Sequence, residues 1–167
     1  RSLNTVPVRL TRDHLGVDTV KNMTIAMGVE ADLGNHRTMV LGTSGITVMD
    51  QATGYGTLAN GGYAGMRHGI SQMTTHGGEV LYERERDAPA PVRVLSEEAV
   101  AAMNTIMVQI PEWGTGRRAA LQGIQSGGKT GTTQAYRDGW YVGYTGNYTA
   151  AVWFGNDDYS PTRRMTG

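Results

Sequence analysis

The sequence lacks cysteine altogether and is poor in two further residue types, with one phenylalanine and two lysines. Without cysteine the chain has no disulfide bond, thiolate metal site or cysteine nucleophile. The absence does not indicate whether the protein lies in an oxidising or a reducing compartment. Basic and acidic residues balance at 15 each, so the net positive charge typical of nucleic-acid-binding proteins is missing as well. We therefore expect no nucleic-acid partner.

Long apolar runs are also missing. No stretch approaches the roughly 20 apolar residues of a membrane span, and no charged and then apolar leader opens the chain. Any targeting segment is therefore expected outside these residues. The four histidines show neither i, i+4 spacing nor a grouping with carboxylates, so we expect no metal site and no cofactor; they are His14, His36, His68 and His76.

A chain of 167 residues suffices for one domain or part of one. An ordinary domain of this length has one core and buries roughly 70% of the surface of the unfolded chain. Glycine is frequent at 24 residues, about twice its usual share of 7%. The glycines are spread along the chain, and they predict tight turns and close backbone contacts.

The first third of the sequence predicts helices. Two short helices joined at Gly16 fit the apolar pattern, with Asp18 as the cap of the second. A third helix is predicted from Thr47 to just before Gly61. A fourth begins at Ser96, which suits an N-cap, and its predicted buried stripe consists of Val100, Met103, Ile106, Met107 and Ile110.

Patterns of alternating apolar residues predict strands in the remaining segments. A hairpin is predicted over residues 70–83, and a loop over residues 84–91. Three further strands are predicted at about 124–133, 138–146 and 147–156. Together the elements predict an α+β fold in which helices flank an antiparallel sheet.

Lys129 lies on the first of these three strands, and three motif interpretations overlap there. Residues 123–130 match G-x-x-x-x-G-K-[ST], the phosphate-binding loop of nucleotide-binding proteins. Ser126 with Lys129 matches S-x-x-K, and residues 129–131 match K-T-G; both motifs occur in penicillin-reactive serine enzymes. The surrounding sequence must decide among the three.

The phosphate-binding interpretation requires a buried strand before the loop and a helix after it, because amides at the helix N-terminus hold the phosphate. Residues 116–122 are too polar for a central strand. Residues 139–146 alternate with a period of two, which predicts a strand where a helix is needed. A nucleotide-binding protein is therefore only a remote alternative.

The S-x-x-K interpretation fails on geometry. That motif works when serine and lysine project from one face of a helix at positions i and i+3. On a strand, positions i and i+3 point to opposite faces. Ser126 is therefore predicted to be an ordinary strand residue, and the sequence contains no serine nucleophile of this type.

The K-T-G interpretation has a suitable strand context, and Ser2-Leu3-Asn4 supplies the S-x-N pattern of the same enzymes. Each pattern is weak alone, and their order and separation give them weight. The chain resembles the carboxy-terminal part of the transpeptidase domain of class A penicillin-binding proteins, the bifunctional peptidoglycan synthases. The resemblance rests on residues 2–10, 41–44, 58–62, 127–133, 138–144 and 153–158.

The resemblance implies a β-lactamase/transpeptidase-like fold and serine acyl transfer on D-alanyl-D-alanine, with peptidoglycan stem peptides and β-lactams as partners. It makes Ser2 a proton relay, Lys129 the holder of that hydroxyl and the Thr132 amide an oxyanion donor. These three are the expected catalytic residues. The expected substrate-binding residues are Asn4, Thr130, Gly131, Thr132 and Thr133.

Measured against that family, residues 1–167 are expected to be the carboxy-terminal portion of one transpeptidase domain. The nucleophile helix, the first strands and the final helix of the family find no counterpart in the sequence. The fold is therefore expected to be incomplete, and the fragment inactive by itself. The resemblance implies a parent protein anchored in the cell envelope, with a glycosyltransferase domain upstream and this domain on the periplasmic or extracellular side.

Three alternatives to these expectations stay open. The parent enzyme could be hydrolytic, a D,D-carboxypeptidase or a β-lactamase-like relative, because the residues do not reveal whether water or an amine accepts the acyl group. The chain could also be a binding module without turnover. With the resemblance set aside, Ser2 could merely cap the first helix, and Lys129 could be an ordinary solvated charge.

Overall fold

A computed structural model describes residues 2–167, and its first part is helical as predicted. Helix α1 (Thr5–Leu10) continues into a π-helical turn (Thr11–Leu15), and α2 (Val17–Ala26) follows after Gly16, whose φ of 78° suits glycine. The prediction that Asp18 caps α2 is wrong. Gly16 occupies the N-cap position, and Asp18 lies in the first turn, where its charge faces the positive end of the helix.

Helix α3 (Val48–Ala59) begins where the sequence predicts it to begin. The Thr47 hydroxyl accepts a hydrogen bond from the Asp50 amide at 3.0 Å, and the Asp50 carboxylate accepts one from the Thr47 amide at 3.4 Å. This reciprocal capping box satisfies two amides that the helix itself leaves without partners. The helix ends at Asn60, just before Gly61, as the sequence also predicts.

A short two-stranded sheet pairs β1 (Tyr63–Ala64) with β4 (Val92–Arg93). Between these two strands lies the predicted hairpin, formed by β2 (Gln72–Thr74) and β3 (Val80–Glu83). The predicted loop over 84–91 contains a short helix, α4 (Arg84–Asp87), so that prediction is wrong in part. The Asp87 carboxylate accepts a hydrogen bond from the Glu83 amide at 2.8 Å, which closes this single turn.

Helix α5 (Glu97–Met107) starts at the predicted cap, because the Ser96 hydroxyl accepts a hydrogen bond from the Ala99 amide at 3.2 Å. Its predicted buried stripe is wrong in part. Val100 and Met107 are buried, whereas Ile106 is 58% exposed and Met103 is 40% exposed. A further short helix, α6 (Gln109–Glu112), follows α5 directly and buries Pro111.

The main sheet is antiparallel and has the strand order β5-β6-β7. These strands are β5 (Gly127–Thr132), β6 (Asp138–Tyr144) and β7 (Thr149–Gly155), each within its predicted range but shorter. Helix α3 packs against β6 and β7, while α5 and α6 pack against β5. The arrangement confirms the predicted α+β fold, with β5 at one edge of the sheet within residues 2–167.

The buried core is small. Leu58, Met107 and Tyr144 form a cluster where α3, α5 and β6 meet. The chain exposes 11523 Å², whereas a compact monomer of this length exposes roughly 8,000 Å². The exposed surface is larger because large apolar side chains on several elements face solvent, among them Val6, Ile25, Ile106, Trp113 and Phe154.

None of the helices formed by residues 2–167 is both long and apolar enough to cross a membrane.

Candidate active site

The two sequence motifs meet at Lys129. Its Nζ donates a hydrogen bond to Ser2 Oγ at 3.0 Å and another to the Thr130 carbonyl oxygen at 2.7 Å. Ser2 and Lys129 are 127 positions apart in the sequence. The fold thus brings the S-x-N and K-T-G patterns together, as the resemblance implies.

Burial changes the chemistry of this lysine. Lys129 is half-buried on β5, and burial lowers the pKa of its ammonium below the ordinary lysine value. A poorly solvated ammonium gains more than a solvated one from an approaching negative charge, because less water has to be displaced. The lysine is therefore suited to holding the Ser2 hydroxyl beside an anionic ligand.

The open edge of β5 presents backbone donors. The Thr133 amide donates to the Asp138 carbonyl oxygen at 3.1 Å, across the turn toward β6. Amides along an antiparallel strand alternate between the partner strand and the opposite side. The Thr132 amide therefore points away from β6, toward the outer edge of β5. There an oxyanion or the carbonyl oxygen of an extended peptide could accept its hydrogen bond.

The hydroxyls of the K-T-G strand have different partners. Thr130 Oγ1 lies 2.6 Å from Thr115 Oγ1, in the turn that follows α6. Thr132 is exposed, and its Oγ1 accepts a hydrogen bond from the Gly167 amide at 3.2 Å. The sequence assigned no role to Thr115; its only signal was a threonine between two glycines shortly before the lysine strand.

Thr133 is held in the turn between β5 and β6. Its hydroxyl donates to the Asp138 carboxylate at 2.9 Å and accepts from the Asp138 amide at 2.8 Å. Trp153 Nε1 donates to the other carboxylate oxygen at 2.9 Å. The hydroxyl of Thr133 therefore shapes the turn, and its expected contact with substrate stays a prediction.

Asn4 lies at the N-cap position of α1, and its side chain makes no capping hydrogen bond. It is exposed, as is Ser2, two residues earlier. Ser2 is thus not at the N-cap position, and its hydroxyl contacts Lys129 instead. The predicted contact of Asn4 with a substrate amide stays a prediction.

The glycines before Lys129 serve packing within the sheet. A Cβ at Gly128 would lie 2.8 Å from the Val142 carbonyl oxygen and would also strike the Tyr141 ring. A Cβ at Gly127 would lie 2.9 Å from the Tyr144 ring. The rings of Tyr141 and Tyr144 therefore fill the space beside these two glycines.

The rejected motifs also fail in three dimensions. Residues 127–132 are a strand that continues past Lys129, so no helix N-terminus is available there for a phosphate. Ser126 lies just before β5 and is not on a helix with Lys129. Among residues 2–167 no group of three or more histidine, aspartate or glutamate side chains could hold a metal ion.

Comparison with known proteins identifies relatives along the entire chain. Residues 1–158 match the family description "Penicillin binding protein transpeptidase domain". Penicillin-binding protein 1B of Vibrio cholerae serotype O1 is 33% identical over 170 residues, covering 100% of this chain and 21% of the relative. Penicillin-binding protein 1B of Escherichia coli strain K12 is 31% identical over 166 residues, covering 98% and 19%. The chain thus spans about a fifth of the length of these relatives.

Solved structures agree with the sequence relatives. The PonA1 protein from Mycobacterium tuberculosis in complex with penicillin V has a TM-score of 0.84 at 26% identity, covering 96% of this chain and 47% of that one. Penicillin-binding protein 1A from Haemophilus influenzae has a TM-score of 0.84 at 21% identity, covering 100% and 31%, and shows the shared fold. The chain belongs to the family of penicillin-binding protein transpeptidase domains.

Proposed function

We propose that the protein containing these residues is a peptidoglycan D,D-transpeptidase that also binds penicillin. The hydrogen bond between Lys129 Nζ and Ser2 Oγ carries the proposal. It brings the S-x-N and K-T-G motifs, from distant parts of the chain, together in one site. The penicillin V complex of the structural relative PonA1 supports a ligand of this class.

In the proposed reaction a serine outside residues 1–167 attacks the carbonyl carbon of the penultimate D-alanine. Ser2 relays the proton of the attacking hydroxyl to the amide nitrogen of the terminal D-alanine, which leaves as a free amine when that amide bond breaks. An amine of a second stem peptide then attacks the acyl-enzyme, the ester bond to the serine breaks, and the proton of the amine passes along the same path to the serine oxygen. Lys129 holds the Ser2 hydroxyl throughout, and the Thr132 amide stabilises the oxyanion in both steps.

The remaining residues bind substrate in this proposal. Thr130 and Thr132 donate their hydroxyl hydrogens to the terminal carboxylate, which Lys129 attracts by its charge. Asn4 contacts a substrate amide, Gly131 leaves room for the peptide, and Thr133 supports the end of the strand. A β-lactam presents a carboxylate and a strained amide to the same groups.

We extend the proposal to the protein as a whole by analogy with class A relatives. It places a glycosyltransferase domain upstream, an anchor in the membrane, and this domain on the periplasmic or extracellular side. A cell-fractionation experiment with an antibody against this domain tests the location. Recovery in the cytoplasmic fraction would contradict it.

The test of function measures acylation of the full-length protein by a fluorescent penicillin. Lys129→Ala and Ser2→Ala should each slow acylation by a factor on the order of 10². Lys21→Ala is the matched control, because Lys21 is the other lysine and its Nζ donates a hydrogen bond to Asn35 Oδ1 at 3.1 Å. The proposal fails if the wild type forms no adduct, or if Lys129→Ala acylates as fast as Lys21→Ala.

Two further measurements separate the alternatives. The first incubates the full-length protein with a donor and an acceptor stem peptide, and its products show whether an amine or water accepts the acyl group. Release of free tetrapeptide without any cross-linked product would indicate a D,D-carboxypeptidase. The 167-residue polypeptide alone should form no covalent penicillin adduct, as judged by intact mass. An adduct on Ser126 would show that our rejection of S-x-x-K is wrong.

A further inference from the structure

Thr115 lies where it can control the hydroxyl of Thr130. The two Oγ1 atoms are 2.6 Å apart, and either one is able to donate. Thr130 is the threonine of the K-T-G motif, and its carbonyl oxygen accepts a hydrogen bond from Lys129 at 2.7 Å. Thr115 comes from a separate segment, the turn of residues 114–116 after α6.

The turn that carries Thr115 is fixed on both sides. The Gly114 amide donates to the Gln109 and Ile110 carbonyl oxygens at 3.0 and 3.1 Å, and the Gly116 amide donates to Ile110 at 3.2 Å. A Cβ at Gly114 would lie 3.0 Å from Ile110 Cα. A Cβ at Gly116 would lie 3.2 Å from Tyr141 Cε2. Close packing therefore holds the backbone of Thr115 in place. This keeps its hydroxyl beside the hydroxyl of Thr130.

The direction of this hydrogen bond decides what Thr130 can bind. A threonine hydroxyl has one hydrogen to donate, and a carboxylate can only accept. If Thr130 donates to Thr115, it has no hydrogen left for a carboxylate. If Thr115 donates to Thr130, the hydrogen of Thr130 is free for the ligand.

We propose that Thr115 is a positioning residue that donates to Thr130 and so directs the Thr130 hydrogen to the carboxylate of the bound substrate or β-lactam. This inference rests on the proposed transpeptidase function. The ammonium of Lys129 beside Thr130 favours the same arrangement, because it attracts the anion that the Thr130 hydrogen then meets.

The test compares two ligands in the full-length protein: benzylpenicillin and its methyl ester, which lacks the carboxylate charge. Thr115→Val removes the hydroxyl and keeps the shape. It should slow acylation by benzylpenicillin roughly tenfold and acylation by the ester less than about twofold. Thr115→Ser keeps a hydroxyl and should stay within about threefold of the wild type for both ligands.

A double-mutant cycle supplies a second readout. Thr130→Val should lose at least as much as Thr115→Val, and the double variant should lose no more than Thr130→Val alone, since Thr115 acts through Thr130. Thr105→Val is the control, because the Thr105 hydroxyl donates to the Ala101 carbonyl oxygen within α5, at 2.9 Å. It should leave acylation by both ligands unchanged.

Four outcomes would overturn the inference. Equal slowing with both ligands indicates a structural tie between turn and strand, and additive losses in the double variant show that Thr115 acts independently. No slowing with either ligand leaves Thr115 without a role. A wild type that reacts with neither ligand overturns the proposed function itself, and this inference with it.

Discussion

Asp50 is a buried carboxylate with several partners. Its side chain is 4% exposed and forms an ion pair with Arg67, whose side chain is 27% exposed. It also accepts hydrogen bonds from the Thr47 hydroxyl at 2.6 Å and from the Glu30 amide at 2.9 Å. Burial alone would raise the pKa of Asp50, but these hydrogen bonds outweigh burial and hold the pKa well below its usual range.

Replacing Asp50 should therefore destabilise the chain. We expect Asp50→Asn to lower the free energy of unfolding by about 3 kcal/mol, because Arg67 is left without its buried partner and the cap of α3 loses its charge. Asp13→Asn is the matched control, since Asp13 pairs with its exposed neighbour Arg12, and it should change stability by less than about 0.5 kcal/mol. Urea denaturation of both variants measures the difference; equal midpoints would contradict the expectation.

The same carboxylate predicts a dependence of stability on pH. The folded-state pKa of Asp50 is depressed, so its contribution is complete above the unfolded pKa of about 3.9 and is lost as pH falls below that value. The wild type should thus lose more stability than Asp50→Asn between about pH 5 and pH 3. Denaturation midpoints across this range measure it. Parallel curves for the two proteins would show that Asp50 titrates normally in the folded state.

At the scale of elements, the pairing of β5 with β6 depends on a small residue at position 128. A Cβ there would lie 2.7 Å from Tyr141 Cζ and 2.8 Å from the Val142 carbonyl oxygen. The partner at 2.8 Å is backbone, which cannot rotate away. Only a shift of the strands would make room, so this contact constrains the strand that carries Lys129.

We expect Gly128→Ala to lower the free energy of unfolding by about 1–3 kcal/mol, the usual effect of overpacking. It should also slow acylation in the full-length protein, because β5 must move. Gly146→Ala is the control, since a Cβ there would meet, among the described residues, no atom within 4 Å apart from those of its two chain neighbours. Thermal denaturation compares the two variants. A Gly128→Ala protein as stable as Gly146→Ala would show that the strands yield easily.

Several elements were predictable because their signals are local. Thr47 and Ser96 cap α3 and α5 as predicted, since a cap involves residues only three positions apart. Errors arose where two local solutions compete, as with Gly16 in place of Asp18 at the start of α2. The exposure of Ile106 was not predictable either, because the periodicity of α5 does not reveal which neighbours cover its apolar side.

At the scale of the whole molecule, the exposed surface is large for the length of the chain, at 11523 Å². Much of it is apolar, because side chains such as Trp113 (80% exposed), Ile106 (58%) and Phe154 (56%) are not covered by other residues of the chain. Large apolar side chains left exposed in this number favour association in water. The core cluster around Leu58 is correspondingly small.

We therefore expect the 167-residue polypeptide, in isolation, to bind a hydrophobic dye and to associate as its concentration rises. Sedimentation velocity over a hundredfold range of concentration measures the association. Ile106→Gln combined with Phe154→Thr should weaken it, whereas Lys21→Gln, which changes a polar side chain, should not. A monomer without dye binding at every concentration would contradict the expectation.

The sequence by itself determined the order of the longer helices, the hairpin and the three strands of the main sheet, the family resemblance, and the choice of K-T-G over the two competing motifs. Capping, glycine turns and alternation act between near neighbours, so they can be read along the chain. The family resemblance implied that Lys129 holds the Ser2 hydroxyl, and the structure supplies the distance, 3.0 Å. Only the tertiary structure decided that Thr115 meets Thr130 and that Thr133 bonds to Asp138. The first of these contacts joins separate segments and the second depends on how a turn closes; both require the packing of β5 against its neighbours, which no local pattern records.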